Sequence, residues 1–332
     1  MLIAPCKRRR ASLFWRLLLA CSLSLSGALA LAQSGPVEGT SFESRLIEDA
    51  GGRAITYHIS RAKAASAPLM LMIQGSGCAR VFSKQAGGAS SSSIFNLVQF
   101  GAEGRFTVIA VEKPFSDIAP APGSTEPCSA AFHADFTADS WARALQAAML
   151  DARKISGVKF TRTLVLGGSE GAVMASMLAA REPAITDVVF ISGSGTTQLF
   201  DFIAQAYRSC FDVAQCLKNI ETTVAAIGKK PHSSLDFAWG HSFQRWTSFF
   251  ALDPGELLLK SRARVYIALG TADSSVPAVA QEVAVAKLLV AGRDVTVRRV
   301  ADGDHGLRPA GVLHMHDLDR ELRAALGWFW NR

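Results

Sequence analysis

Thr163-Leu-Val-Leu-Gly-Gly-Ser-Glu-Gly171, continued by Ala172-Val-Met-Ala-Ser-Met-Leu-Ala-Ala180, decides the fold. An apolar run stops at paired glycines, a serine follows, and a stretch rich in Ala and Met takes over with helical character. Strand, then Gly-x-Ser-x-Gly, then helix describes a very tight turn that carries its serine at the apex in a strained backbone conformation, a nucleophile elbow. The positions two residues away on either side must then be almost devoid of side chain, and Gly167 and Gly171 meet that demand. In a chain with 27 glycines the bare pattern arises by chance, so the strand before it and the helix after it give it weight.

Outward from this turn the chain alternates between strand and helix patterns. Residues 41–48 and 53–60 flank the turn cluster Asp49-Ala50-Gly51-Gly52 and read as an antiparallel hairpin. Residues 68–73, 106–111, 187–192 and 264–269 are apolar runs too dense for half-exposed strands, which suits a buried parallel sheet, and 294–300 adds a last strand. Helical patterns are expected at 90–100, 137–155, 277–291 and 312–328, with a long Pro-containing loop at 116–133. Between about 197 and 260 the rhythm breaks into a largely helical stretch holding Phe237, Trp239, Phe243, Trp246, Phe249 and Phe250. The expected fold is therefore α/β, a mostly parallel sheet flanked by helices, with a helical cap inserted at about 197–260. Aromatics at that density are packing first, and some are placed to line a cleft above the serine.

Residues 1–32 read as an export signal. Lys7-Arg8-Arg9-Arg10 form a basic head, 13–31 is mostly apolar, and Ala30-Leu31-Ala32 before Gln33 fits a cleavage site. Arg16 interrupts the apolar run, so an uninterrupted span of about 20 apolar residues is not available there and no stable membrane span is expected after signal removal. Arg9-Arg10 near Leu13-Phe14 loosely fits a twin-arginine pattern, and Leu18-Leu19-Ala20-Cys21 a lipid-attachment pattern. The five cations of this segment carry five of the formal +7 charges, leaving +2 on the expected domain at 33–332. Nucleic-acid binding thereby loses its electrostatic support. Of six cysteines, Cys78, Cys128, Cys210 and Cys216 remain after the signal, an even number that suits disulfides in a periplasmic or secreted protein. Three pairings are open; the short spacing favours Cys210 with Cys216, leaving Cys78 for Cys128. No Cys-x-x-Cys spacing supports zinc, and no metal is expected.

A serine hydroxyl is a poor nucleophile unless a base takes its proton and a third group holds the base. Downstream, Gly270-Thr271-Ala272-Asp273 and Asp302-Gly303-Asp304-His305-Gly306 each follow a predicted strand, which places a carboxylate and an imidazole at the sheet edge where open α/β sheets build their sites. In this order, Ser, Asp, His, the chain resembles the α/β-hydrolase superfamily over nearly all of its length beyond the signal. The resemblance implies Ser169 as nucleophile, His305 as base and Asp273 as the acid that orients it. It also implies an oxyanion hole from the backbone N–H of Glu170 and that of Ser76, in Gln74-Gly75-Ser76-Gly77, where the common pattern begins His-Gly.

Alternatives stay open at this level. Asp302 or Asp304 could orient the base, and Asp302, Asp304, His314 and His316 could be imagined around a metal, though their spacing matches no known motif. His58, His133, His232 and His241 lie outside the last-strand loop. A Cys78–Cys128 bond would tie the oxyanion loop to the loop after the next strand. The expected activity is hydrolysis of a small-molecule carboxylic ester through an acyl-enzyme, with no cofactor. Thioester or amide hydrolysis by the same residues is the nearest alternative, and a non-catalytic binding protein on this fold a more distant one.

Overall fold

The computed structural model describes residues 34–84, 90–92, 103–119, 127–309 and 316–331. The expected export segment lies outside the described residues, as do 93–100 of the helix expected after residue 90, 120–126 of the expected loop and 310–315 of the region before the last helix.

The strands are β1 (Gly35–Pro36), β2 (Glu43–Glu48), β3 (Ala54–Ser60), β4 (Ser66–Ile73), β5 (Phe82–Lys84), β6 (Ser90–Ser92), β7 (Thr107–Val111), β8 (Lys159–Gly168), β9 (Asp187–Ile191), β10 (Phe237–Ala238), β11 (His241–Ser242), β12 (Arg264–Gly270) and β13 (Val295–Val300). The helices are α1 (Ala130–Asp135), α2 (Ala138–Ile155), α3 (Glu170–Arg181), α4 (Gln198–Ser209), α5 (Val213–Lys229), α6 (Phe243–Phe250), α7 (Pro254–Lys260), α8 (Ala278–Val290) and α9 (His316–Trp330). Nine strands form one sheet in the order β1-β2-β3-β7-β4-β8-β9-β12-β13. The first three run antiparallel to their neighbours, and all pairings from β7 to β13 are parallel.

Alternation along the parallel strands divides the core in two. Leu69, Leu71, Val165, Val188 and Ile267 face α2, α3, α7 and α8, while Met70, Met72, Leu164, Leu166 and Tyr266 face α9 through Leu318, Leu322 and Phe329. Because each strand is covered on both faces, it reads as a continuous apolar run, as the sequence indicated. A third, smaller cluster joins Ile227 of α5 to Phe243 and Trp246 of α6.

Two expectations are corrected. Ser90–Ser92 is a strand paired with Phe82–Lys84 where a helix start was expected. Three serines carry no apolar pattern from which a strand could be read. Residues 130–133, expected as loop, belong to α1, whose N-cap Ser129 accepts from the Phe132 N–H and whose Phe132 is fully buried. The segment 197–260 contains four helices and the β10–β11 hairpin, and its later part joins the main core through Phe249 and Leu258. Among the described residues no helix is long and apolar enough to cross a membrane.

Strand order positions the site. From β4 the chain crosses to β7 on one side, and β8 then enters on the other, so the connections leaving the carboxyl ends of β4 and β8 diverge. A crevice opens where they part, the place at which open α/β sheets bind ligands. Ile73 pairs with Gly167 across that switch point, so Gln74–Gly77 and Ser169 emerge side by side.

Candidate active site

Ser169 joins β8 to α3 with φ 56° and ψ −125°, a left-handed conformation rare for a residue with a side chain. Its N–H donates to Ile191 O at 2.9 Å, and its carbonyl accepts from the Ala172 N–H at 3.0 Å, so the strained residue is pinned on both sides. A Cβ at Gly167 would stand 2.1 Å from Gly171 O, and one at Gly171 would stand 2.3 Å from Ile73 O. Those clashes are with backbone and cannot be relieved by a rotamer. Gly75 brings its loop against the serine: a Cβ there would lie 3.5 Å from Ser169 Cβ.

Asp273 is fully buried, and its two oxygens have separate tasks. Oδ1 accepts from the N–H groups of Ser275 (2.8 Å) and Val276 (2.9 Å), which fixes the plane of the carboxylate. Oδ2 lies 2.8 Å from His305 Nδ1. A carboxylate can only accept, so Nδ1 donates and Nε2 is left as the basic nitrogen. The loops carrying the two residues press together: a Cβ on Gly270 would stand 2.2 Å from Gly303 O. Asp304, the competing acid, instead accepts from Gly306 N and Arg308 N and pairs with the Arg308 guanidinium. Asp302 takes a positive φ of 54° on an exposed turn. Among the described residues no hydrogen bond joins Ser169 Oγ to His305, so this link is open in the present state, as is common before substrate binds.

Both disulfides expected from the cysteine count are present, Cys78–Cys128 and Cys210–Cys216. The first ties the segment after Gln74–Gly77 to the residues just before α1.

A cavity of about 310 Å³ lies over the serine, lined among others by Ser76, Ser169, Asp201, Trp239, Arg245 and Trp246. That is the small end of the range for ligand sites. Its aromatic wall comes from the inserted segment: Trp239 stacks on Phe202 with centroids 4.3 Å apart, and Trp246 stacks on Phe250 at 5.2 Å. Trp239 and Gly240, with φ of 47° and 76°, form the two-residue loop of the β10–β11 hairpin. Such loops favour Gly, Asn or Asp, so a tryptophan there holds an unusual backbone conformation beside the cavity. Phe249, by contrast, belongs to the main core and Phe243 to the smaller cluster. Burial, aided by the Asp273 charge and opposed by the Ser194 hydroxyl, pushes the Asp201 carboxyl up to about 7. Burial and the Arg245 charge push His241 down to about 4, so it is neutral at pH 7.

Three features escaped the sequence reading. The Glu170 side chain, which a first-turn acid would ordinarily leave near solvent, is buried, with Oε1 2.9 Å from Lys113 Nζ and Oε2 bonded to an Arg245 guanidinium nitrogen. Lys113 is among the most completely buried side chains of the chain. Asp201 lines the cavity, and among the described residues its carboxylate accepts from the Ser194 hydroxyl alone. The one signal available for Lys113 was its place two residues after the apolar β7, at the same edge as the motifs.

No protein-family model matches the chain, and no curated protein matches it. Solved structures do. A puromycin-hydrolyzing peptidase of Mycobacterium tuberculosis aligns with TM-score 0.56 at 15% identity, over 87% of this chain and 40% of that one. Est1E of Butyrivibrio proteoclasticus, solved with ferulic acid, aligns at 0.55 and 14%, over 86% of this chain and 97% of that one. A Klebsiella pneumoniae protein assigned as a dienelactone hydrolase aligns at 0.56 and 14%, over 88% and 100%. The chain spans two fifths of the peptidase and essentially the whole of the other two. It has the α/β-hydrolase fold.

Proposed function

We propose that the chain is an exported serine hydrolase that cleaves a small carboxylic ester through an acyl-enzyme. The observation that carries this reading is the buried Asp273 carboxylate fixed on His305 Nδ1 at the same sheet edge as a serine held at φ 56°. Ser169 Oγ attacks the ester carbonyl while its proton passes to His305 Nε2. The charge that develops on the carbonyl oxygen is met by the N–H groups of Glu170 and Ser76. His305 gives the proton to the departing alkoxide, which leaves as the alcohol. Water then attacks the acyl-serine, its proton passing to His305, and collapse releases the acid and restores Ser169. No step calls for a metal or cofactor. The inserted segment acts as a cap whose aromatic residues bound the acyl or alcohol side of the cavity, and its volume favours compact substrates. The two disulfides support an oxidising, extracytoplasmic location.

Hydrolysis of short-chain p-nitrophenyl esters, with fluorophosphonate labelling in parallel, tests the reading. Ser169→Ala should abolish labelling and lower kcat by about 10⁶-fold. Wild-type turnover in that variant would refute the assignment.

A further inference from the structure

We propose that Lys113, Glu170 and Arg245 form a buried positioning network that aims both oxyanion donors and couples them to the inserted segment above the serine. This rests on the serine-hydrolase reading and adds to it a set of residues that act by holding the donors in place.

Lys113 Nζ makes three contacts: Gly75 O at 2.7 Å, Gly77 O at 2.9 Å and Glu170 Oε1 at 2.9 Å. Three acceptors need three protons, so the group is an ammonium, and every proton is used. Burial works against that charge, and the Glu170 carboxylate works for it. In Glu170 burial likewise opposes ionisation, but Lys113 and Arg245 outweigh it and hold the carboxyl well below the ordinary glutamate range.

The choice of acceptors matters. Gly75 C=O and Ser76 N–H belong to one planar trans peptide, so their dipoles point in opposite directions. A cation gripping Gly75 O therefore fixes that plane, turns the Ser76 N–H away from Lys113, and polarises it as a donor. Gripping Gly77 O secures the next turn of the same loop. The other proposed donor, the Glu170 N–H, belongs to the residue whose own side chain completes the ammonium's coordination. One side chain thus holds both halves of the hole.

The far end of the loop is held from the adjacent position. Glu112 Oε2 accepts the Val81 N–H at 2.8 Å, and the Cys78–Cys128 bond lies between. Consecutive residues after β7 accordingly grip the loop from both sides.

Arg245 extends the network into the cap. It stands on α6, donates to Glu170 Oε2 and, through its other terminal nitrogen, to Gln198 Oε1 at 2.9 Å on α4. Its guanidinium is packed against the Trp246 and Phe249 rings, at 4.1 and 4.2 Å. The three charges sum to +1 on side chains that are almost wholly buried. An excess cation beside a developing oxyanion lowers the barrier more there than it would in solvent.

The test compares Lys113→Met and Glu170→Gln with wild type on p-nitrophenyl acetate, together with the inhibition constant of an arylboronic acid, which forms a tetrahedral adduct on the serine. Loss of an aimed donor costs about 10²–10³ in kcat, and Lys113→Met should show that loss with KM within about threefold and a parallel weakening of the boronic acid. Glu170→Gln keeps the shape and the Gly75 and Gly77 contacts, so its loss in kcat should be smaller, about tenfold, again matched by the boronic acid. A role confined to stability would lower the unfolding midpoint while leaving kcat per folded molecule and boronic-acid affinity at wild-type values, and that result overturns the network. Should Lys113→Met fail to fold, Glu170→Gln decides: folded and kinetically unchanged, it overturns the proposal. Failure of wild-type protein to hydrolyse the ester or react with a fluorophosphonate would instead remove the hydrolase reading on which the network rests.

Discussion

Replacing the proposed nucleophile should show directly how much strain the turn stores, because Ser169→Gly and Ser169→Ala are equally devoid of a hydroxyl and differ in backbone freedom. At φ 56° and ψ −125° the serine occupies a region that a Cβ makes costly. Residues held there carry about 1–3 kcal/mol. Ser169 Oγ makes no hydrogen bond among the described residues, so truncation to alanine removes little and leaves the strain in place. Glycine relieves it, at the cost of about 0.5–1 kcal/mol in unfolded-chain entropy relative to alanine. With strain in the upper part of that range, about 2–3 kcal/mol, and an entropy cost of about 1 kcal/mol, Ser169→Gly should be more stable than both Ser169→Ala and wild type by about 1–2 kcal/mol. With a urea m-value of about 3 kcal/mol/M this is a midpoint shift of about 0.3–0.7 M. Tryptophan fluorescence in a urea titration, disulfides intact, reads the shift, and equal m-values across the three proteins confirm that only stability has changed. Both variants should be catalytically dead. If Ser169→Ala matches or exceeds Ser169→Gly in midpoint, the turn is not strained in solution, and the steric account of Gly167 and Gly171 falls with it.

Gly171→Ala should be among the most damaging substitutions in the chain, since its Cβ would stand 2.3 Å from Ile73 O and 2.8 Å from Gln74 O, both backbone. A loss of more than about 3 kcal/mol is expected in the same urea assay, and a loss under about 1 kcal/mol would contradict the close packing of β4 on α3. Replacing each disulfide by a serine pair should rank them by loop length. In the chain-entropy account, separations of 50 and 6 residues give about 4 kcal/mol for Cys78–Cys128 and about 2 kcal/mol for Cys210–Cys216. Equal or reversed losses in urea would show that entropy is not the main contribution. Asp201 gives a pH-dependent effect. Its folded-state pKa, about 7, lies above the ordinary aspartate value of 3.8, so between those values the unfolded chain releases a proton that the folded chain retains. Stability therefore falls as pH rises through that window, and the penalty is complete above about 7. Asp201→Asn removes the penalty: its urea midpoint should match wild type at pH 4 and exceed it at pH 8, and a gain that does not grow with pH would refute the reasoning.

The parts of this site that were legible in the sequence are those that short-range sterics or strand order dictate. Gly167 and Gly171 flank Ser169 because a Cβ at either would strike backbone, a demand that leaves glycine as its trace whatever the distant surroundings. Asp273 and His305 were singled out by their place in loops after predicted strands and by the resemblance to the α/β-hydrolase superfamily, and parallel topology brings such loops to one edge, where the two side chains meet. The helix at Ala130–Asp135 was not legible. Six residues are too few to show a period, and Phe132 is buried by segments remote in the chain. Lys113 and Glu170 were illegible for a related reason. A lysine following a strand reads as solvated, and an acid in a first helical turn reads as a partner for the helix dipole. What buries them is mutual: each is tolerable only because the other, together with Arg245, Gly75 and Gly77, comes from 36 to 75 residues away to satisfy it. Removing one partner would strand the other as an uncompensated buried charge, so such a cluster persists as a unit or not at all. It follows that an ionisable residue in the first two positions after a fully buried parallel strand, in a chain that also carries a Gly-x-Ser-x-Gly turn, should be read first as support for the neighbouring loops and only then as surface.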